Sequence, residues 1–231
     1  MSFLWISGIG ISEIISMSLT DRVFLPRLRA KYPKGTEDMP GEGQDGLIKE
    51  KRTKFFYGLV VLSAVISAWL QILLQKELYG PDYFKCFVTM NVLGIAAVSD
   101  RVIYVIPNFC SAVLVGARIS LYVYEQFTMG QEALYLLLNG LLGAALCMLI
   151  LLFCRLATQG GIGLGDIKLF SAIGFMFYAE TILFLLTLSL LLSAVTGLIL
   201  VALKKKKLSG SLPMGPFIFY AFILTALIGV I

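Results

Sequence analysis

The sequence predicts an all-α fold, a polytopic membrane helical bundle of about eight helices, some of them short or broken. Of the 231 residues, 58% are hydrophobic and only 14% are charged, whereas a soluble domain usually carries about a quarter charged residues. This composition leaves too little polar surface to cover a water-soluble globule, so lipid must surround most of the chain. The apolar residues also fall into runs of helix length, separated by polar segments.

Three regions follow one another along the chain. Residues 1–19 are apolar except for Glu13 and lack a basic start and an A-x-A cleavage site, so they are predicted as a retained membrane helix. Residues 20–54 hold nine Lys or Arg and six Asp or Glu and are predicted as a short cytoplasmic loop. Residues 55–231 are predicted to form the membrane-embedded bundle. Its predicted spans lie at 55–75, 86–99, 109–123, 132–154, 168–179, 182–203 and 213–231.

Three of these spans, 86–99, 109–123 and 168–179, are shorter than the ~20 residues needed to cross hydrocarbon. Each either continues as a helix into its polar flank or crosses only part of the bilayer. The orientation follows from the basic residues, because cytoplasmic loops carry an excess of Lys and Arg. With residues 20–54 in the cytoplasm, alternation places the four-lysine run of residues 204–207 on the same side. The chain is therefore predicted to be a multi-pass protein of the cytoplasmic membrane.

The absence of histidine narrows the chemistry that the chain can perform. It excludes Ser-His-Asp hydrolysis and every H-E-x-x-H metalloprotease. The four cysteines contain no C-x-x-C pair, so they are predicted to be small buried residues, and no metal site is expected. The basic clusters flank membrane spans, so orientation signalling explains them better than nucleic-acid binding does.

Two polar segments each place an aspartate where an apolar helix meets water. In the first, Asp100 ends an apolar run, Pro107 prevents continuation of a helix, and Asn108 is predicted to cap the next helix. In the second, the glycine-rich stretch 160–165 precedes Asp166, which stands where another apolar run begins. The alternation of the spans places both segments on the cytoplasmic side. Ionisable groups at membrane depth are costly and usually functional.

Taken alone, Asp166 has a second explanation as a helix cap, and Asp100 has one as an interfacial residue neutralised by Arg101. If the two carboxyls converge, however, they cannot easily both ionise, and the pair holds one shared proton. One carboxylate then takes a proton from water while the protonated partner hydrogen-bonds a peptide carbonyl. Such a pair hydrolyses peptides without histidine, metal or cofactor.

Three blocks of the chain resemble the prepilin peptidase family, the GxGD-type membrane aspartic proteases that process type IV pilin-like precursors. The first block is Asp100 with the I-P-N of residues 106–108. The second is G-L-G-D-I-K-L at residues 163–169, and the third is L-P-M-G-P-F at residues 212–217. The resemblance covers roughly residues 86–231, and the blocks occur in the family's order at suitable helix boundaries.

The resemblance implies a membrane aspartyl endopeptidase with Asp100 and Asp166 as catalytic residues and an active site that faces the cytoplasm. The implied partners are a lipid bilayer and a prepilin-like precursor, whose short basic leader is cut off just before an apolar helix. Long bacterial members also carry a zinc-binding cysteine domain and methylate the new N-terminus with S-adenosylmethionine. Residues 20–54 contain no cysteine, so zinc is not expected there and methyl transfer is left open.

Supporting roles around the dyad are predicted for residues in the same three blocks. Lys168 either meets a carboxylate of the substrate or of the dyad, or extends to the membrane interface. Gly163 and Gly165 either make room for a substrate backbone or only give the loop flexibility. Arg118 either extends outward toward Glu125 or pairs within the bundle. The predicted supporting residues are Pro107, Asn108, Gly163, Gly165, Lys168, Pro213, Gly215 and Pro216.

Three rival functions use the same residues. In a transporter component, Asp100 and Asp166 would relay protons or bind a cation, which favours acids near the bilayer midplane rather than at span ends. A presenilin-like protease would cut inside a helix, but such proteins resemble this chain less, because Ser99 rather than Tyr precedes Asp100. An assembly protein with an inactive protease fold would not need both aspartates.

Overall fold

The computed structural model describes Val65, residues 80–203 and residues 212–229. The predicted first helix (1–19), the basic loop (20–54), the span 55–75 apart from Val65, and the four-lysine run lie outside the described residues. Six helices and no strand form the described part of the chain, which confirms the all-α prediction there. The helices are α1 (Gly80–Ile103), α2 (Asn108–Met129), α3 (Gln131–Ala157), α4 (Leu164–Met176), α5 (Ala179–Ala202) and α6 (Gly215–Ile228).

Three of the described helices are long and apolar enough to cross a membrane: Pro81–Ile103, Gln131–Ala157 and Ala179–Ala202. Helix α6 is apolar but shorter, with 14 residues. Two of the three short predicted spans continue into their polar flanks, so that α1 has 24 residues and α2 has 22. Helix α4 stays short, with 13 residues. The predicted total of about eight helices includes spans outside the described residues and stays a prediction.

Helix boundaries follow the proline and glycine positions. Pro107 precedes α2 in an extended conformation, which is where proline's fixed φ and missing N–H do no harm. The prediction that Asn108 caps α2 is wrong: Pro107 is the N-cap residue, Asn108 is the first helical residue, and no side chain caps this end. Gly130 has φ of +60° and joins α2 directly to α3.

Helix packing depends on close approach of backbones between α3 and α4. A Cβ atom built on Gly143 would lie 2.9 Å from the carbonyl oxygen of Gly174, and one built on Gly174 would lie 2.9 Å from Gly143. Only the hydrogen atoms of the two glycines fit between α3 and α4 at this crossing, so the two helix backbones touch without intervening side chains. This contact holds the short α4 against a long apolar helix. The core around it contains Ile173, Phe170 and Leu151, which are almost fully buried.

A cluster of buried charges links the beginning of α1 to the second half of α2. Arg118 donates a 2.8 Å hydrogen bond to Glu125, and both residues are 1% exposed. Lys85 of α1 lies 3.9 Å from Glu125 and 2.9 Å from Asp82, and its ammonium group lies 5.1 Å from the ring centroid of Tyr178. Arg118 therefore pairs with Glu125, the partner named in the first alternative, but does so inside the bundle, as the second alternative had it. A cavity of about 440 Å³ borders this cluster.

Candidate active site

Asp100 lies in the last turn of α1 and is 7% exposed. The helix ends three residues later, and Tyr104 then takes a left-handed conformation with φ of +54°. The loop that follows is tied back to the helix, because the Ser99 hydroxyl donates a 2.8 Å hydrogen bond to the carbonyl of Val105. This bond fixes the path of the chain between Asp100 and Pro107.

The Asp100 carboxylate meets the beginning of α6. Its Oδ2 atom accepts a 2.7 Å hydrogen bond from the backbone N–H of Gly215, and the backbone N–H of the neighbouring Met214 also interacts with the carboxylate. A Cβ atom on Gly215 would lie 2.9 Å from the Cβ of Asp100 and 3.0 Å from the carbonyl of Ala96. Glycine is therefore the residue that lets α6 reach this carboxylate.

Asp166 lies in the first turn of α4 and is half-buried. Gly163 is the N-cap residue of this helix, and the Asp166 carboxylate folds back toward it, where the backbone N–H of Gly163 interacts with the carboxylate. The alternative explanation of Asp166 as the capping residue is thus replaced by a related one, in which its side chain folds back onto the N-cap. A Cβ atom on Gly163 would lie 2.8 Å from Oδ2 of Asp166, so a larger residue there would push on the carboxylate.

The two aspartate segments touch at one end of the bundle. A Cβ atom on Gly165 would lie 3.2 Å from the Cβ of Ile106, so the turn before α4 packs directly against the loop that follows Asp100. Lys168 also bridges the segments, since its ammonium group donates a 3.3 Å hydrogen bond to the side-chain oxygen of Asn108. These contacts bring the two aspartate segments against each other, and the Gly215 contact adds the start of α6.

The charge of Asp100 acts on the Asp166 carboxyl. Asp166 lies outside the three candidate spans, and its pKa is raised to about 7, first by burial and second by the negative charge of Asp100. The backbone N–H of Gly163 opposes this rise. A carboxyl with a pKa near 7 gives up and takes back a proton near neutral pH, which general acid–base chemistry requires.

The remaining supporting residues differ in exposure. Pro213, Gly215 and Pro216 are buried at the start of α6, and Pro216 stands in its first turn. Helix initiation by proline and close contact with Asp100 therefore occur at the same place. Lys168 and Asn108 are exposed, so their side chains are accessible to a substrate. The substrate contacts of these supporting residues stay predictions.

Three contacts of the site were not predicted from the sequence. Ser99 holds the loop after Asp100, the Met214 amide meets the Asp100 carboxylate, and Arg155 of α3 donates a hydrogen bond to the carbonyl of Ile162 ahead of Gly163. The last contact fixes the glycine-rich turn that leads to Asp166. Backbone donors leave no mark in a sequence, but a polar residue such as Arg155 at the end of an apolar run is a usable signal.

The arrangement suits hydrolysis that uses carboxyl groups alone. Two acidic side chains lie at one end of the bundle, one enclosed and one half-buried, and each is held by at least one backbone N–H. Among residues 80–203 and 212–229, no three His, Cys, Asp or Glu side chains are grouped so that they could hold a metal ion. A water molecule between the two carboxyls would have both a proton acceptor and a proton donor beside it.

Comparison with known proteins addresses the same part of the chain. Residues 87–201, which include both aspartates, match the type IV leader peptidase family. The prepilin leader peptidase/N-methyltransferase of Bacillus subtilis (strain 168) is 32% identical over 152 residues. The alignment covers 64% of this chain and 57% of that relative, so the chain matches somewhat more than half of the relative's length. No solved structure matches the chain.

Proposed function

The chain belongs to the type IV leader peptidase family, and on this premise we propose that it is a membrane aspartyl endopeptidase that removes the leader from prepilin-like precursors. Family membership confirms the resemblance that the three sequence blocks suggested. The catalytic residues of the proposal are Asp100 and Asp166. The observation that carries it is the meeting of their two segments at one end of the bundle, where the charge of Asp100 acts on the Asp166 carboxyl.

In the proposed mechanism, the dyad holds one proton and one water molecule. The ionised carboxylate accepts a proton from the water, whose oxygen attacks the scissile carbonyl carbon. The protonated carboxyl donates a hydrogen bond and then its proton to the carbonyl oxygen, giving a neutral gem-diol. Collapse of this diol breaks the C–N bond: one diol hydroxyl gives its proton to the ionised carboxylate, and the leaving nitrogen takes up the proton held by the other carboxyl, so the dyad again holds one proton. The steps belong to the coupled pair, so neither aspartate is assigned one fixed role.

The proposed substrate is a precursor with a short, basic, hydrophilic leader followed by an apolar helix. The half-buried position of Asp166 and the exposure of Lys168 support this assignment, because an extended peptide can approach the dyad from the polar end of the bundle. We place this end at the cytoplasmic face of the cell membrane, on the charge distribution of the loops. The peptide that is cut would lie where the leader meets the apolar helix.

The proposal is confined to peptidase activity. The name of the Bacillus subtilis relative also includes an N-methyltransferase, but residues 20–54 of this chain contain no cysteine. Methyl transfer from S-adenosylmethionine therefore remains a prediction left open. Mass spectrometry of the product, made with and without S-adenosylmethionine, would reveal the added methyl group.

The test is cleavage of a synthetic precursor by the purified full-length chain in detergent or in liposomes. The precursor carries a basic leader, a glycine at the cleavage site and an apolar helix. We expect one product, cut at the boundary between leader and helix, and no product with Asp100→Asn or Asp166→Asn. Cleavage within the apolar helix would favour the presenilin-like alternative, and no cleavage by the wild type would contradict the proposal.

A further inference from the structure

The N-terminus of the last helix lies directly against Asp100. Oδ2 of this carboxylate accepts the 2.7 Å hydrogen bond from Gly215, and the backbone N–H of Met214 also interacts with the carboxylate. Gly215 and Met214 belong to the L-P-M-G-P-F block, which lies beyond residues 87–201, the part that matches the family. The sequence motif of the last helix therefore touches the dyad through its backbone, not through a side chain.

The first N–H groups of a helix have no partner within that helix. They carry a partial positive charge, and a carboxylate placed there is stabilised by both the hydrogen bonds and the helix dipole. At Asp100, these groups are the N–H of Gly215, the first residue of α6, and that of Met214, its N-cap residue. The hydrogen bond from Gly215 restricts the rotation of the Asp100 side chain and favours its charged form.

We propose that Met214 and Gly215 are positioning residues of the catalytic dyad, whose backbone N–H groups orient the Asp100 carboxylate and stabilise its charged form. This inference rests on the proposed function, since it assigns the role of the last helix within that reaction. It also explains why a glycine stands at position 215. Any side chain there would meet the Cβ of Asp100 at 2.9 Å and the backbone of Ala96 at 3.0 Å.

The surroundings of Asp100 contain few other groups that could supply the same stabilisation. Helix α6 has no charged side chain between Gly215 and Ile228. Arg101 of the same helix as Asp100 is exposed, and Lys168 is hydrogen-bonded to Asn108. The titratable or charged groups at the Asp100 end of the surrounding elements are Arg101 of α1, Tyr104 in the following loop, Cys110 of α2, Arg155 of α3, Asp166 and Lys168 of α4, and Tyr220 of α6. Asp82, Lys85, Arg118 and Glu125 lie farther along α1 and α2.

The most direct test removes one of the two N–H groups. Met214 has φ of −81° and ψ of −25°, close to the backbone angles that proline adopts, so Met214→Pro deletes the donor at small steric cost. Met214→Leu is the matched control, because it keeps the N–H and a similar side-chain volume. A hydrogen bond to a charged group contributes about 1.5–3 kcal/mol, so kcat should fall about 10- to 100-fold in Met214→Pro.

Three readouts separate a positioning role from a merely structural one. In Met214→Pro we expect KM to stay within about twofold of the wild-type value. The acidic limb of the kcat/KM profile should move to higher pH, because a carboxylate that has lost a donor is protonated more easily. The thermal midpoint in detergent should stay close to that of Met214→Leu. Equal kcat and equal pH profiles for the two variants would overturn the inference.

A second pair of variants tests the close contact itself. Gly215→Ala places a methyl group against Asp100, whereas Gly143→Ala creates an equally tight clash of 2.9 Å at the crossing of α3 and α4. We expect both to lower thermal stability, but only Gly215→Ala to lower kcat tenfold or more and shift the acidic limb. Similar kcat losses in both would count against a specific role for Gly215. A wild type that does not cleave would instead refute the underlying function.

Discussion

At the scale of single residues, Asp166 provides the clearest link between structure and pH. Its pKa is raised to about 7 by burial and by the charge of Asp100, whereas an unfolded aspartate titrates near pH 3.9. Between these values the folded protein binds more protons at this site than the unfolded chain does. The contribution of Asp166 to stability is therefore complete below about pH 4 and is lost as the pH rises through about 7.

The first prediction concerns Asp166→Asn, which mimics the uncharged side chain at every pH. Relative to wild type, the variant should gain stability as the pH rises from about 4 to about 7, by about 1 kcal/mol or more. Thermal unfolding in detergent at a series of pH values measures the difference. A difference that does not change with pH would show that the Asp166 pKa is ordinary in the folded protein.

The two glycines of the turn before α4 should differ in their importance. Gly163→Ala brings a Cβ to 2.8 Å from Oδ2 of Asp166, whereas Gly165→Ala brings one to 3.2 Å from Ile106. We predict that Gly163→Ala lowers kcat tenfold or more, since an active-site displacement of about 1 Å is this costly, and that Gly165→Ala lowers it less. Initial rates at saturating precursor compare the variants. A larger loss of kcat in Gly165→Ala than in Gly163→Ala would mean that catalysis depends more on the contact with Ile106 than on the position of the Asp166 carboxylate.

At the scale of helices, the buried charges of α1 and α2 tie the end of the bundle that lies away from the dyad. Fifteen residues separate Lys85 from Asp100 on α1, which corresponds to about 22 Å along the helix. Glu125 balances both Lys85 and Arg118, and all three residues are 2% exposed or less. Removing the charge of Glu125 would leave two buried cations with one fewer counter-charge.

We therefore predict that Glu125→Gln lowers the free energy of unfolding by about 3 kcal/mol. Glu132→Gln is the control, because Glu132 borders the same cavity but is exposed, and it should change stability by no more than about 0.5 kcal/mol. Replacing Arg118 and Glu125 together by leucine should recover most of the loss, since no unpaired charge is then left from that pair. Equal stability of the two single variants would contradict the paired network.

Replacing a glycine by alanine should have opposite effects on stability in two neighbouring helices, α3 and α2. Gly143 of α3 touches α4, but Gly116 of α2 has no atom within 4 Å of where a Cβ would be placed. We predict that Gly143→Ala is destabilising by about 1–3 kcal/mol through overpacking, whereas Gly116→Ala stabilises the protein by about 0.5–1 kcal/mol through helix propensity. Thermal midpoints of the two variants give the comparison. Stabilisation by both would mean that α3 and α4 pack less closely.

At the scale of the whole molecule, the sequence predicts the all-α class, which residues 80–203 and 212–229 confirm, and a shared location for the two aspartate segments, which touch in the structure. Apolar runs predicted the helices because bilayer-spanning segments need length and low charge, which composition records directly. Asp100 and Asp166 stand out because each is an ionisable group where an apolar run meets a turn, and the turns are marked by Pro107 and by the glycine-rich stretch 160–165. The continuation of α1 and α2 through polar flanks was left open, since hydropathy alone does not end a helix.

The remaining features depend on contacts that a single sequence does not encode. The hydrogen bonds of Met214 and Gly215 to Asp100 come from backbone atoms, which every residue except proline carries. Lys85 and Glu125 lie forty residues apart in sequence, so their meeting follows from helix packing. Asn108 was expected to cap α2 on residue type alone, but Pro107 already occupies the cap position and the Asn108 side chain turns to Lys168.

The most direct test of the central claim is a double-mutant cycle on the dyad, with kcat/KM for precursor cleavage measured for wild type, Asp100→Asn, Asp166→Asn and the double variant. If the two carboxyls act as one unit around one water, each single substitution abolishes about as much activity as both together, a loss of about 10³-fold or more. Independent losses that multiply in the double variant, or cleavage retained by either single variant, would contradict the shared dyad.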